Sequence, residues 1–361
     1  MLSRAALVRL LAAFIGLASL GATCGQAGLA VMPGVINNPA NHALRQALLG
    51  FATSEMCSEL LHRSVPLSLR DGDPTIGRFY PQTCQVQQVA NENLYVSFAG
   101  HGYAWSSLSK RIGFVASAGV QYEYDFLMDG GTMYVYFRQV STGASEFRPT
   151  MVEAPSAGAL GPLIGANLQG FVQQLGSRLL AAELAKGFTV VRHGDGDTTF
   201  SLGVLETGTR PFAPFDRAES SWPLLANERT EIHTGQRDYT GPYLVDGSGE
   251  ALYLTLALEG APAVDVLVVP KELGDAWLGA YEQQGPAGPP PGQPLADEPV
   301  AATPTVGTPP PVYRRMFRLP RGSYYIVLDN TATAGASVPA GVPGDDRAAL
   351  VSYAVQLGDA P

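Results

Sequence analysis

The sequence predicts an α+β protein: an N-terminal antiparallel sheet packed on one long amphipathic helix, followed by a second part made of strands alone. Three observations carry that expectation. Between Ile112 and Phe126 every second residue is apolar or alanine, the period of a strand with one buried face. Between Leu163 and Leu184 the apolar residues fall three or four apart, the period of a helix. From Trp222 onward alternation returns, in a chain whose 41 glycines and 28 prolines supply many turns. A length of 361 residues suits about two domains.

Residues 1–23 read as a signal peptide. Arg4 and Arg9 form a positive n-region, and the apolar run Leu10 to Leu20 is too short to cross a bilayer. The stretch Leu20-Gly21-Ala22-Thr23-Cys24 resembles the lipobox of bacterial lipoproteins, where a cysteine beside small residues receives a diacylglycerol. That resemblance implies a lipid anchor on Cys24, with residues 24–42 as a tether; plain signal-peptidase cleavage after Ala27 or Ala30 is the alternative. With Cys24 assigned to lipid, Cys57 and Cys84 remain as an even pair in an oxidising compartment. They are expected to form a disulfide, the alternative being two buried thiols.

The first domain, 43–215, opens with a short helix from Ala43 to Leu61 on the stripe Leu44, Leu48, Phe51 and Leu60. Alternation then marks strands around Val65–Leu69, Leu94–Phe98 and Ile112–Phe126. The last of these turns at Asp129-Gly130-Gly131 into Met133–Phe137 as a hairpin. The long helix, from about Gly161 to Lys186, is closed by Gly187 as a left-handed cap. Phe171, Leu175 and Leu179 are expected to bury against the strands of Tyr122 and Tyr134. Tyr122, Tyr124, Tyr134 and Tyr136 are expected to pack across strands. The second domain, 216–361, contains strands at Leu252–Leu258, Val264–Val266 and Val351–Leu357. Ten prolines between Gln284 and Val312 make 285–311 an extended Pro-rich loop, either solvated spacer or recognition segment.

The segment Phe317 to Asn330, with its Leu319-Pro320-Arg321-Gly322 turn feeding Tyr324, Ile326 and Leu328, resembles the second half of GOLD-like or pre-peptidase-type modules. The resemblance implies a jelly-roll-like β-sandwich over 216–361, an interaction or accessory module without catalytic residues. The long helix running into Ala185-Lys186-Gly187-Phe188-Thr189-Val190, then Phe200-Ser201-Leu202, is similar to tubular lipid-binding (TULIP) lipoproteins. In that family a twisted sheet wraps a helix, which implies a candidate apolar groove along Phe171, Leu175 and Leu179. A closed helix-on-sheet core fits the same pattern.

Chemistry-bearing motifs are sparse. The net charge of −9 argues against nucleic acid as a partner, and a mean hydropathy of +0.06 excludes a multi-span membrane protein. No two histidines stand at metal-ligand spacing and no cysteine pair has zinc-site spacing. His193 with Asp195 and Asp197 reads as a turn, as does Asp71-Gly72-Asp73-Pro74. Ser248 lacks the Gly-x-Ser-x-Gly elbow, and His101 reads as a structural corner. No dinucleotide or phosphate loop is present, so no cofactor and no metal are expected. The expectation is an exported outer-membrane lipoprotein of the cell envelope, facing the periplasm or cell surface, or else a soluble periplasmic or secreted protein. It binds or scaffolds a lipid or another envelope component without catalysing. The alternative is a periplasmic hydrolase whose catalytic residues are dispersed.

Overall fold

Period-two alternation in the first half becomes one continuous meander. β1 (Val65–Leu67), β2 (Gly77–Gln88), β3 (Leu94–Ser106), β4 (Lys110–Asp129), β5 (Thr132–Val152), β6 (Phe188–Arg192) and β7 (Thr198–Leu202) pair antiparallel in chain order. The computed structural model describes residues 33–70, 72–89, 93–107, 109–129, 131–153, 168–192, 198–202, 215, 222–302, 311–336 and 348–361. β4 and β5 form the expected hairpin. Three register shifts, at Gly113/Phe114, Ala118/Val120 and Gln121/Tyr122, bend it, so two unusually long strands follow the curl of the sheet.

The alternating residues Val96 and Phe98, Phe114 and Val120, and Val135 and Phe137 bury together on one face of this sheet. Two helices fill that face, α2 (His42–His62) and α3 (Leu168–Ala185), after a single turn α1 (Pro33–Ile36). α2 touches both β2 and β6, and α3 touches both β5 and β1, so the sheet curls around them as a half-barrel. The fold is thus mostly β with few helices, and the expectation of one long helix on an α+β sheet needs correcting. The sheet is too wide for one helix to cover.

α3 lies on β5, and the Tyr122 hydroxyl donates to the Leu184 carbonyl at 3.2 Å. The helix ends at Ala185, and Gly187 has φ +66, the left-handed cap. Residues 161–167, expected as its first turns, lie outside the described residues. α2 runs longer than expected, and its buried stripe is Leu49, Ala52 and Met56; Leu44, Leu48 and Leu60 pack only at its margin. Cys57 of α2 is bonded to Cys84 of β2, with Cα atoms 5.5 Å apart, as the cysteine count implied.

The register places Tyr124 opposite Phe137 and Asp125 opposite Tyr136. Tyr122 and Tyr124 therefore join the helix-covered core, while Tyr134 and Tyr136 stack on each other, 6.0 Å apart, on the other face. The four tyrosines do not form one stripe, because side chains opposite each other must share a face.

The second half contains β8 (Leu224–Ile232), β9 (Gln236–Val245), β10 (Glu250–Glu259), β11 (Ala263–Pro270), β12 (Ala296–Ala301), β13 (Val312–Arg318), β14 (Gly322–Asn330) and β15 (Ala349–Asp359). They form two four-stranded antiparallel sheets, β13-β10-β15-β8 and β12-β11-β14-β9. Leu252, Leu254, Leu256, Val264, Val266, Ile326, Leu328, Val351 and Tyr353 make the core between them. The Tyr324 hydroxyl donates to the Pro320 carbonyl at 2.7 Å and closes the Leu-Pro-Arg-Gly turn.

Two features depart from the all-strand expectation. Residues Lys271–Gln283 form a helix, α4, with Gly274, Trp277, Leu278, Tyr281 and Glu282 buried at helical spacing. Thirteen residues holding two glycines between strong strands carried little helical signal. The Pro-rich loop is also partly built into the fold. Ala296–Ala301 pairs with β11 as an edge strand, where Pro299 is tolerated because its missing N–H faces away from the ladder. Trp277 Nε1 donates to the Pro291 carbonyl and Arg237 Nη2 to that of Gly288, so residues 288–291 are tethered rather than free spacer.

Candidate functional site

The two halves meet through a buried polar and aromatic seam. Arg78 of β2, fully buried, places Nε and Nη2 on both oxygens of Asp238 of β9 at 2.6 and 2.8 Å. Its Nη2 also reaches Glu228 Oε2 at 2.9 Å and Tyr353 Oη at 2.7 Å. Burial works against the guanidinium charge, but Asp238, Tyr353 and Glu228 outweigh it and hold the Arg78 pKa well above its ordinary value. The Tyr103 hydroxyl donates to Asp238 Oδ1 at 2.7 Å, and that of Tyr80 to the Tyr239 carbonyl at 2.6 Å. Tyr80, Tyr103, Tyr239, Trp277, Tyr281 and Tyr325 pack around these bonds. The seam is buried and joins the halves; two of its tyrosines, Tyr80 and Tyr325, also reach the surface beside it.

Beside it opens a cleft of about 470 Å³. One wall is α4, which presents Lys271, Asp275, Gly279 and Glu282, one helical stripe with a gap at its middle, because a Cβ at Gly279 would meet nothing within 4 Å. The facing wall comes from the half-barrel: Tyr80 and Gln82 of β2, His101 of β3, Val115 of β4 and Thr150 of β5. α4 approaches that wall at Gly113, where any Cβ would overlap the Glu282 carbonyl, and the Thr150 hydroxyl donates to the same carbonyl at 3.1 Å.

Two charged stations lie along the cleft. At one, His101 Nδ1 stands 2.8 and 2.7 Å from the two oxygens of Glu282, and its ring stacks on Tyr80 at 5.6 Å. Glu282 is buried, which pushes its pKa up, while the hydrogen bond and charge of His101 pull it back. At the other, Lys271 Nζ meets Asp275 Oδ2 at 2.5 Å, and the Tyr325 hydroxyl donates to Asp275 Oδ1 at 2.9 Å. Burial, then Asp275, raises the Tyr325 pKa, so this phenol stays protonated and donating. Asp275 and Glu282 are seven residues apart on α4, about 10 Å along its axis.

His101, which the sequence reads as a structural corner, sits inside β3, opposite Tyr80 and Val115. Sequence reasoning missed its partner because Glu282 is 181 residues away. Leu179 is buried in α3, and the space between it and the sheet is about 10 Å³, room for a single water and not for an acyl chain. The side chains of Phe171 and Leu175, and all of Cys24, His193, Asp195 and Asp197, lie outside the described residues. Ser248 is exposed in the β9–β10 turn. A wider space of about 500 Å³ over Gln173, Gln174 and Arg178 has lining residues from α3 alone and is an open surface. No group of three or more metal-ligating side chains occurs among the described residues, and no helix among them is long and apolar enough to cross a membrane. The disulfide is consistent with an extracytoplasmic location.

No family model and no curated relative matches the chain. Among solved structures, a glycoside hydrolase family 43 arabinoxylan arabinofuranohydrolase from Bacillus subtilis, in complex with cellotetraose, aligns at 10% identity. The alignment covers 77% of this chain and 66% of that one, just under two thirds of its length, with a TM-score of 0.21. A likeness at that level carries no argument about fold or activity.

Proposed function

We propose that this is an exported envelope protein, anchored by lipid on Cys24, that binds a small polar ligand without transforming it, in the cleft between half-barrel and sandwich. The observation that carries the reading is the junction cleft itself: a concavity of about 470 Å³ at a domain boundary with a few convergent polar groups. Each carboxylate along the cleft already has a hydrogen-bonding partner, His101 for Glu282 and Lys271 and Tyr325 for Asp275, which suits an uncharged ligand rich in hydrogen-bonding groups rather than an acyl chain. The sandwich is read as a jelly-roll accessory module; its eight strands, divided four and four with frequent crossing between sheets, support that reading.

Gly279 supplies the test. Native mass spectrometry of the protein recovered from envelope membranes is expected to show a bound small molecule in wild type and in Gly279→Ala, but not in Gly279→Phe, whose ring would fill the cleft. Equal retention by all three would overturn the assignment. Lipidation is checked on the same material, as acyl mass on a chain beginning at Cys24; an N-terminus at Gly28 or Val31 in the soluble fraction would refute it.

A second reading, hydrolysis, is favoured by the His101–Glu282 pair alone. A carboxylate on Nδ1 orients the imidazole and leaves Nε2 as a base for water. Against a covalent route, the described residues lining the cleft include no serine or cysteine, and the Thr150 hydroxyl is already donated to a carbonyl. Turnover of an ester, glycoside or peptide substrate that disappears in a folded His101→Gln variant would replace the binding reading.

A further inference from the structure

The chain as a whole is acidic, at −9, yet four arginines fall within eight residues at one margin of the sandwich. Arg314, Arg315 and Arg318 belong to β13, an edge strand paired only with β10, and Arg321 follows in the turn to β14. All four are exposed. Register sorts them. Phe317 and Tyr313 face the core opposite Leu252 and Leu256, and Arg315, on the same side, reaches Glu298 of β12 at 2.6 Å and ties the two sheets together. The other side of β13 presents Val312, Arg314, Met316 and Arg318 in alternation, with Val312 47% exposed. The acidic neighbours at that end are Glu250 and Asp359, and Glu250 turns its carboxylate onto the Asp246 and Gly247 amides of its own turn.

Charges on an edge strand protect it from pairing with another chain, but the exposed Val312 beside them and the half-buried Met316 between Arg314 and Arg318 serve no such purpose. Cations interleaved with apolar side chains on one face, on a molecule otherwise of opposite sign, are what an anionic lipid surface selects. The headgroups attract the guanidinium groups, the apolar groups enter the interface, and the acidic remainder is turned away.

We propose that the outward side of β13, with Arg314, Arg318 and Arg321, is a docking surface for anionic phospholipid. It is independent of the cleft and of the Cys24 anchor. Three cations at a charged bilayer correspond to about a 100-fold gain in partitioning.

The test is a ratio, so that any acyl anchor or leader cancels. Binding of the full chain to phosphatidylcholine vesicles containing phosphatidylglycerol is divided by its binding to phosphatidylcholine alone, for wild type and for Arg314→Gln/Arg318→Gln/Arg321→Gln. The wild-type ratio is expected to be about 100 at low salt and to fall towards one in the triple variant and in high salt. The single Arg314→Gln variant should lie between them, and carries the test if the triple variant does not fold. A ratio unchanged by these substitutions would overturn the proposal. So would binding to soluble inorganic polyphosphate without binding to the anionic vesicles, which would make the patch a polyanion site.

Discussion

Arg78 shows why a single side chain decides whether the two halves cohere. Its buried guanidinium satisfies buried Asp238 and Tyr353 and half-buried Glu228 at once. Arg78→Ala leaves Asp238 buried and uncompensated, with an expected loss of about 3–5 kcal/mol in chemical denaturation. Pairing it with Asp238→Asn should recover part of that loss, because the stranded charge is gone. Asp329 makes a different prediction. Burial raises its pKa from 3.8 to about 6, partly opposed by Arg237 and by Thr331. Folding therefore disfavours its ionised form, at a cost fully present above pH 6 and fading as the pH falls towards 3.8, where the unfolded carboxyl also protonates. Acidification from pH 7 to 4 should gain up to about 3 kcal/mol from this group. Asp329→Asn should flatten that limb of the stability curve; an unchanged limb would mean that Asp329 is not its source.

At the scale of elements, much of the fold was legible because local periodicity reports burial. The β4–β5 hairpin, the capped end of α3 and the Tyr324–Ile326–Leu328 face follow from spacing alone. The failures share a cause. The stripe of α2 is rotated from Leu44, Leu48 and Leu60 to Leu49, Ala52 and Met56, since tertiary contacts choose a face where the sequence offers several. α4 and β12 were hidden by glycine and proline, residues whose local preference is overridden by packing against Tyr325 and by an edge position. The candidate site was least legible: His101 and Glu282 share no sequence window, and only the docking of α4 brings them together. The disulfide was inferred from arithmetic, and its energetic role can be measured. Cys57→Ser/Cys84→Ser should lower stability by about 3 kcal/mol, since the bond closes a loop of 27 residues in the unfolded chain. Reduction of the wild type should have the same effect.

For the whole molecule, the two sheet systems differ in how they use chain order. Each strand of the half-barrel pairs with the strand just before it, a short-range step everywhere except at β6, which returns to β5 after α3. The sandwich is the reverse: β14 lies between β11 and β9, and β15 between β10 and β8, so the last strands to be made are central in both sheets. A chain stopped before Ala349 should keep the Cys57–Cys84 bond but expose β8 and β10 as facing unpaired edges, read out as proteolysis within 222–302 and aggregation. Native resistance in that truncated chain would show that β15 is dispensable. As the chain is made from N- to C-terminus, the first half can fold before the second, whose central strands β14 and β15 come last. Until then β8 and β9 have the finished half-barrel as a neighbour before they have their own sheet partners, because Arg78 binds Glu228 of the one and Asp238 of the other.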